Sequence, residues 1–219
     1  MKRMFSGILA AAVVAGISSY ASAAVVFELS NYKLDETPPD GTSPWLIATF
    51  ENAGANQVKL TLDATNMNSA NFVADFFFNM VGGKSLTIAN PLVEDPANAA
   101  VGAANLSSGG NPPGGPAFGY TITPPIAGGG RLNGGEVVTW VLNGTGITED
   151  DFLAFVTTGN DDYADADMYV AAKIQGLLND GSTVIWDGDG DDGGGDIPEP
   201  ASLGVLGLGA AALLARRRK

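Results

Sequence analysis

Gln57-Val58-Lys59-Leu60-Thr61-Leu62-Asp63-Ala64-Thr65 alternates apolar and polar residues without a break. Successive side chains on a strand point to opposite faces of a sheet. The segment is therefore expected as a strand with Val58, Leu60, Leu62 and Ala64 buried and Lys59, Thr61 and Asp63 facing water. The same period recurs at 136–142, where Val137, Thr139 and Val141 oppose Val138, Trp140 and Leu142. It recurs again at 168–174, where Met168, Val170, Ala172 and Ile174 oppose Tyr169, Ala171 and Lys173. Further strand signals lie at 25–29, 45–50, 72–78, 85–88, 118–123 and 183–186. Roughly nine short strands separated by Gly, Pro, Asn and Asp predict an all-β domain, an antiparallel β-sandwich of jelly-roll type. One short helix is expected from Thr148 to about Phe155. Thr148 caps it, Glu149, Asp150 and Asp151 sit at its positive end, and Ile147 staples against Phe152. Residues 90–116, rich in Ala, Asn, Gly and Pro, are expected as a long surface loop.

Both ends of the chain carry short apolar segments beside basic residues. At the start, Lys2 and Arg3 precede an apolar stretch from Ile8 to Ile17, and Ala21-Ser22-Ala23 follows. This is the order of an export signal, and the small side chains of Ala21 and Ala23 place the cut by signal peptidase after Ala23. At the far end, residues 201–215 hold no charge, and Arg216-Arg217-Arg218-Lys219 follow. A helix of 15 residues spans roughly 22 Å against a hydrocarbon core of about 30 Å, short for a permanent anchor. It suits a helix that enters the inner membrane transiently. The basic end stays on the cytoplasmic side and everything before Ala201 lies outside. The chain thus divides into a signal peptide (1–23), a β-rich exported domain (24–186), an acidic Gly/Asp linker (187–196) and a sorting tail (197–219).

Setting the two ends aside leaves residues 24–197, with five basic residues against 23 acidic ones and a net charge of −18. Such a charge argues against nucleic acid and anionic membranes as partners and favours divalent cations. There is no cysteine and no histidine. Disulfides, the usual zinc ligand, the Ser-His-Asp triad and the Cys-His pair are all absent as a result. The Gly-rich turns at 128–130 and 134–135 follow no strand with phosphate-loop spacing, so a nucleotide site is not expected.

Ile197-Pro198-Glu199-Pro200 stands immediately before the apolar run, followed by Ser202, Leu203, Leu206, Gly207, Leu208 and Gly209 and ending on Arg216, Arg217 and Arg218. This tail resembles the PEP-CTERM sorting signal, from which it departs only in Ile197 for the usual valine and in Ala201 ahead of the serine. Two prolines around a glutamate make a rigid extended segment that cannot join the following helix. The resemblance implies recognition by an exosortase, a membrane cysteine transpeptidase-like enzyme of Gram-negative bacteria. It also implies a cell-surface or extracellular-matrix destination linked to exopolysaccharide. Ser43-Pro44-Trp45, Arg131-Leu132-Asn133-Gly134-Gly135 and Tyr169-Val170-Ala171-Ala172-Lys173-Ile174-Gln175-Gly176 also look like a recurrent PEP-CTERM cargo domain, a likeness that brings no catalytic residues with it.

Within the domain, chemistry is limited to carboxylates, lysines, tyrosines and bound water. Asp187-Gly188-Asp189-Gly190-Asp191 places carboxylates at alternate positions, as a calcium loop begins. Asp192 then stands where the loop glycine belongs and Pro198 where a bidentate glutamate belongs, so the run also reads as an acidic linker. Asp161, Asp162, Asp165 and Asp167 form a second cluster that reads either as a calcium site or as a solvated rim. A glycoside-active enzyme would need two carboxylates among Glu28, Glu51, Glu94 and Glu136, and sequence offers no way to pair them. A carbohydrate-binding sandwich would use Trp45, Trp140, Trp186 or the tyrosines, although the tryptophans alternate with apolar residues and read mostly as core. The expectation is a non-enzymatic surface or matrix protein, with calcium as its one candidate cofactor.

Overall fold

The computed structural model describes residues 24–89, 101–159, 163, 167–178 and 181–187. The alternating segment forms β4 (Gln57–Asp63), with Val58, Leu60 and Leu62 fully buried. It pairs antiparallel with β3 (Leu46–Gly54) on one side and β10 (Val137–Asn143) on the other. β1 (Ala24–Leu29) extends this sheet beyond β3, and the two-residue β6 (Thr87–Ile88) extends it beyond β10. Ala55 and Asn56 close the β3–β4 hairpin, with Asn56 at φ 65°, a left-handed position that asparagine tolerates.

The second sheet runs in the order β2 (Asn31–Tyr32), β14 (Gly181–Trp186), β13 (Val170–Leu177), β5 (Phe72–Phe78), β8 (Phe118–Thr123) and β7 (Asn105–Gly110). The two-residue β9 (Leu132–Asn133) also pairs with β5. A separate small ladder joins β11 (Val156–Thr157) to β12 (Asp167–Met168). Among the described residues every strand pairing is antiparallel, and the fold is an all-β sandwich. The chain changes sheet at Ser30, between β1 and β2, so one continuous segment sews the two layers together along that side.

The central core lies between the sheets and includes Leu29, Phe50, Leu60 and Trp140 from the first and Phe76, Phe78, Ile122, Ile174 and Ile185 from the second. Phe50 stacks on Phe152 with ring centroids 4.2 Å apart. A second cluster, Phe77, Phe118, Tyr163, Met168, Ala171, Val184 and Trp186, covers the outer face of the second sheet. β5, β13 and β14 are therefore buried on both faces. That accounts for the run Phe72-Val73-Ala74-Asp75-Phe76-Phe77-Phe78, which is apolar except for Asp75 and does not alternate. It also divides the segment 168–174: Val170, Ala172 and Ile174 enter the central core, whereas Met168 belongs to β12 and the outer cluster.

Two expectations are corrected. The surface loop at 90–116 contains β7, an edge strand held by its ladder to β8 and carrying only Leu106 as an apolar side chain. The helix at 148–155 is a 3-10 turn of four residues, Glu149–Phe152. Thr148 is its N-cap residue, and its amide donates to the Asp151 carboxylate at 2.8 Å. It stops because Leu153 leaves the helical conformation and Val156 and Thr157 pair with β12.

The connection from β4 to β5 crosses between the sheets and is pinned at Asn71, which is fully buried. The Asn71 side-chain oxygen accepts the Asp40 amide at 2.8 Å, and its Nδ2 donates to the Gly176 carbonyl at 2.9 Å. Its own carbonyl accepts the Gly134 amide at 2.8 Å, and its amide donates to Asn68 at 2.9 Å. Glycine is required around this connection. A Cβ at Gly41 would stand 2.1 Å from the Asn66 carbonyl oxygen, and one at Gly134 2.1 Å from that of Asn68. At Gly176, where φ is 81°, a Cβ would stand 2.2 Å from the Ala70 oxygen. Asn71→Ala leaves the Asp40 N–H and the Gly176 carbonyl without partners. It is expected to cost about 3 kcal/mol and to lower the melting temperature by roughly 6–12 °C in a thermal unfolding scan.

Candidate functional site

The sandwich has two distinct ends. Asn71 marks one. At the other lie the β3–β4 turn, the Glu149–Phe152 turn, Ala24 and Asp187. Ala24, the first residue of β1, pairs with Glu51 next to that turn. Asp187, just past β14, donates its amide to the Val170 carbonyl at 3.3 Å. Tyr169 joins the two points, its ring stacked on Phe27 at 5.5 Å and its amide donating to Asp187 Oδ1 at 3.0 Å. The expected cleavage residues Ala21 and Ala23, and the sorting residues Pro198, Glu199, Pro200, Arg216, Arg217 and Arg218, lie outside the described residues.

Asp187 is held inside the fold. It is 5% exposed, and its Oδ1 accepts the Val170 amide at 2.7 Å as well as that of Tyr169. Burial pushes its carboxyl up to about 7, against the opposing pull of the Val170, Tyr169 and Asp187 amides. Asp187 of the acidic run is thus held in the fold, and Asp189 and Asp191 lie outside the described residues.

Of the second cluster, Asp167 begins β12 and accepts the Thr157 hydroxyl at 2.7 Å across the ladder, while Asp161, Asp162 and Asp165 lie outside the described residues. Among them in the sequence stands Tyr163, which sequence reasoning passed over. Its ring is fully buried 5.1 Å from that of Trp186, and its hydroxyl donates to the Pro113 carbonyl at 2.6 Å. The signal that could have found it is a lone aromatic within an acidic run. Among the described residues, no group of three or more His, Cys, Asp or Glu side chains is placed to hold a metal ion.

The third charged feature is the ion pair of Lys84 with Asp151. The ammonium stands 2.8 and 2.7 Å from the two carboxylate oxygens and also donates to the Gly146 carbonyl at 2.7 Å. Burial acts to raise the Asp151 carboxyl. The hydrogen bonds from Lys84 and Thr148 outweigh it and hold the group below its ordinary value.

Surfaces that could meet a sugar are of two kinds. Trp45, Trp140 and Trp186 are all buried, as their apolar neighbours indicated, so none offers a stacking face. Tyr32 is partly exposed, and Phe155, half exposed, meets Tyr169 edge-on at 5.6 Å. A shallow open depression of about 400 Å³ lies beside the β3–β4 turn, lined by Asn56, Gln57, Ser85, Thr87, Asn143 and Thr145. Gln57 Nε2 donates to Asn143 Oδ1 there at 2.9 Å, and no lining residue is charged. The strand glutamates are dispersed. Glu136 closes its own turn by accepting the Asn133 amide at 2.7 Å. Glu28 faces Ile47 in register and Glu51 faces Ala24, so they stand in different rows of the sheet; Glu94 lies outside the described residues.

The family model for the PEP-CTERM protein-sorting motif matches residues 196–219. The chain carries a PEP-CTERM sorting signal at its C-terminus. The signal makes it an exported protein, sorted by an exosortase and processed in association with the membrane. No curated protein and no solved structure matches the chain. Among the described residues no helix is long and apolar enough to cross a membrane, and the apolar run of the PEP-CTERM tail lies outside them.

Asp187 and Asp151 give stability opposite dependences on pH. The Asp187 carboxyl is raised above its unfolded value of about 3.9, so the folded state binds a proton that the unfolded state has released. Its contribution is complete below that value and is lost as pH rises towards about 7. Asp151 is lowered, so its contribution is present above the unfolded value and lost as pH falls through the folded one. Asp187→Asn keeps an oxygen for the two amides and carries no charge. Melting temperatures measured from acid to pH 8 should show the loss above pH 4 flattened in this variant and the acid limb retained. An unchanged slope would remove Asp187 from the titration.

Proposed function

We propose that the protein is a non-enzymatic component of the bacterial surface or extracellular matrix, a β-sandwich delivered to an exopolysaccharide-rich layer by its sorting tail. In this reading signal peptidase cuts after Ala23, the tail pauses in the inner membrane, and exosortase reads Pro198-Glu199-Pro200. The observation that carries it is the sorting motif matched at 196–219. The absence of histidine and cysteine and the dispersal of the strand glutamates support a structural or binding role over catalysis.

A second reading, a carbohydrate-binding module, is favoured by one observation. In a strongly acidic domain, the depression at Asn56, Gln57, Asn143 and Thr145 is lined by neutral amides and hydroxyls, groups that hydrogen-bond to sugar hydroxyls. Binding of the mature chain to extracellular polysaccharide, with and without calcium, separates the two readings.

Glu199→Ala leaves the hydrophobicity of the tail untouched and removes the charge between the two prolines. It should insert in the membrane normally and accumulate uncut in the cell fraction. Processing and release like the wild type would show that Glu199 is not the element the exosortase reads.

Calcium, in this proposal, is held by Asp187, Asp189 and Asp191 or by Asp161, Asp165 and Asp167. A cation bound only by the folded state must raise its melting temperature. Millimolar calcium should therefore raise the transition of the mature chain, and a transition that stays in place would leave both groups as solvated acid.

A further inference from the structure

The two sheets differ on their outer faces. The second is covered there by the cluster around Phe77 and Trp186, and among the described residues no apolar cluster covers the first. The side chains that alternate with its buried ones form three rows across β1, β3, β4 and β10. One row is Ala24, Glu51, Lys59 and Val141, the next Val26, Thr49, Thr61 and Thr139, and the third Glu28, Ile47, Asp63 and Val137. Val26, Ile47, Val137 and Val141 belong to neither core cluster, and Val26 is 36% exposed. A sheet with one wet face ordinarily places polar residues there, whereas β10 places two valines. Valine, isoleucine and threonine dominate the three rows. Being stiff at χ1, they lose little freedom when a second surface closes on them.

The pattern is self-complementary. On β4, Lys59 and Asp63 stand on either side of Thr61, one in each outer row. On β10, Val141 and Val137 stand in the same way on either side of Thr139. A two-fold axis along the middle row lays each strand over its own counterpart and exchanges the outer rows. Lys59 of each copy then meets Asp63 of the other, Val141 meets Val137, and Thr61 lies over Thr61. Asp63 accepts the Thr65 amide through Oδ1 at 2.9 Å, and its Oδ2 makes no hydrogen bond among the described residues. The Thr61 and Thr139 hydroxyls share a hydrogen bond at 3.0 Å. Ile47 meets Glu51 of the other copy, which keeps Lys59 as its neighbour in the row, and Glu28 stands at the rim on the edge strand.

We propose that this face of the first sheet docks a second copy of the chain, sheet against sheet, about that axis. Rows roughly 7 Å apart and strands about 4.8 Å apart give each copy a footprint of roughly 400 Å². That is about half the area of a standard interface, so the contact is weak and belongs to crowded copies. Each domain carries a net charge of −18. Physiological salt screens that repulsion beyond about 8 Å, which leaves the pairs within the contact to decide the geometry.

The test uses the full chain in detergent micelles. Thr61→Cys places a single thiol at the axis of a chain that has no cysteine of its own. A bismaleimide whose reach matches the roughly 10 Å between packed sheets should join two copies there, giving covalent dimer on a denaturing gel. Lys59→Asp and Asp63→Lys, each added to Thr61→Cys, bring like charges together twice. Each should lower the yield of dimer about tenfold or more. Mixing the two single reversals, or combining both in one chain, makes every pair opposite again and should restore it. Far-UV circular dichroism of each reversal checks that the sandwich is intact. The proposal is overturned by the absence of covalent dimer from Thr61→Cys, by a yield indifferent to the reversals, or by reversals that neither mixing nor combination rescues.

Discussion

A single buried amide, that of Asn71, ties together the loops that the two sheets cannot hold by themselves. Its oxygen, its nitrogen and its backbone carbonyl each serve a different part of the chain: Asp40, Gly176 and Gly134. Around it, Asn66 donates to the Pro44 carbonyl, and the Gly135 amide donates to Ala64. The segments 43–45, 131–135 and 169–176 each supply a partner to the 64–71 connection. Their shared chemistry is that of a junction, in which small residues let backbones approach and one asparagine satisfies what is buried.

The chain has no cysteine, and its second sheet is covered on both faces. Tyr163 packs into the outer cluster on β5, β13 and β14, and Pro113 accepts its hydroxyl. The opposite sheet keeps the simpler arrangement. Its outer face carries Thr49, Thr61 and Thr139 in one row, the last two sharing a hydrogen bond at 3.0 Å. One layer is thus buried on both sides and the other on one, a division that strand composition alone expresses.

How far the sequence could be read follows from this division. β4, wet on one side, alternates cleanly and was legible residue by residue, whereas β10 carries valine on both faces and its sequence left open which of them is buried. β5 and β13 were recognisable as strands, but their facing was not, because both faces are apolar. β7 was illegible, since an edge strand of Asn, Ser and Gly is stabilised by its ladder and little else. Asp187 was placed with the linker because nothing local distinguishes it from Asp189. Its burial depends on the amides of Tyr169 and Val170, distant in sequence and adjacent in space. Tyr163 was overlooked for the same reason, its pocket being formed by strands on either side of it in the chain.

The Asp187 clamp also sets how the domain would bear a load. The segment leading to the sorting signal leaves directly from the end of β14, which lies between β2 and β13 and is matched to β13 along six residue pairs. A pull on that segment along the strand axis strains those pairs in shear, all of them together, and does not peel them one by one. The Asp187 carboxylate, bonded to two consecutive amides of the neighbouring strand, is the first link to feel the tension. The attachment point is therefore also the place where the fold resists being drawn out.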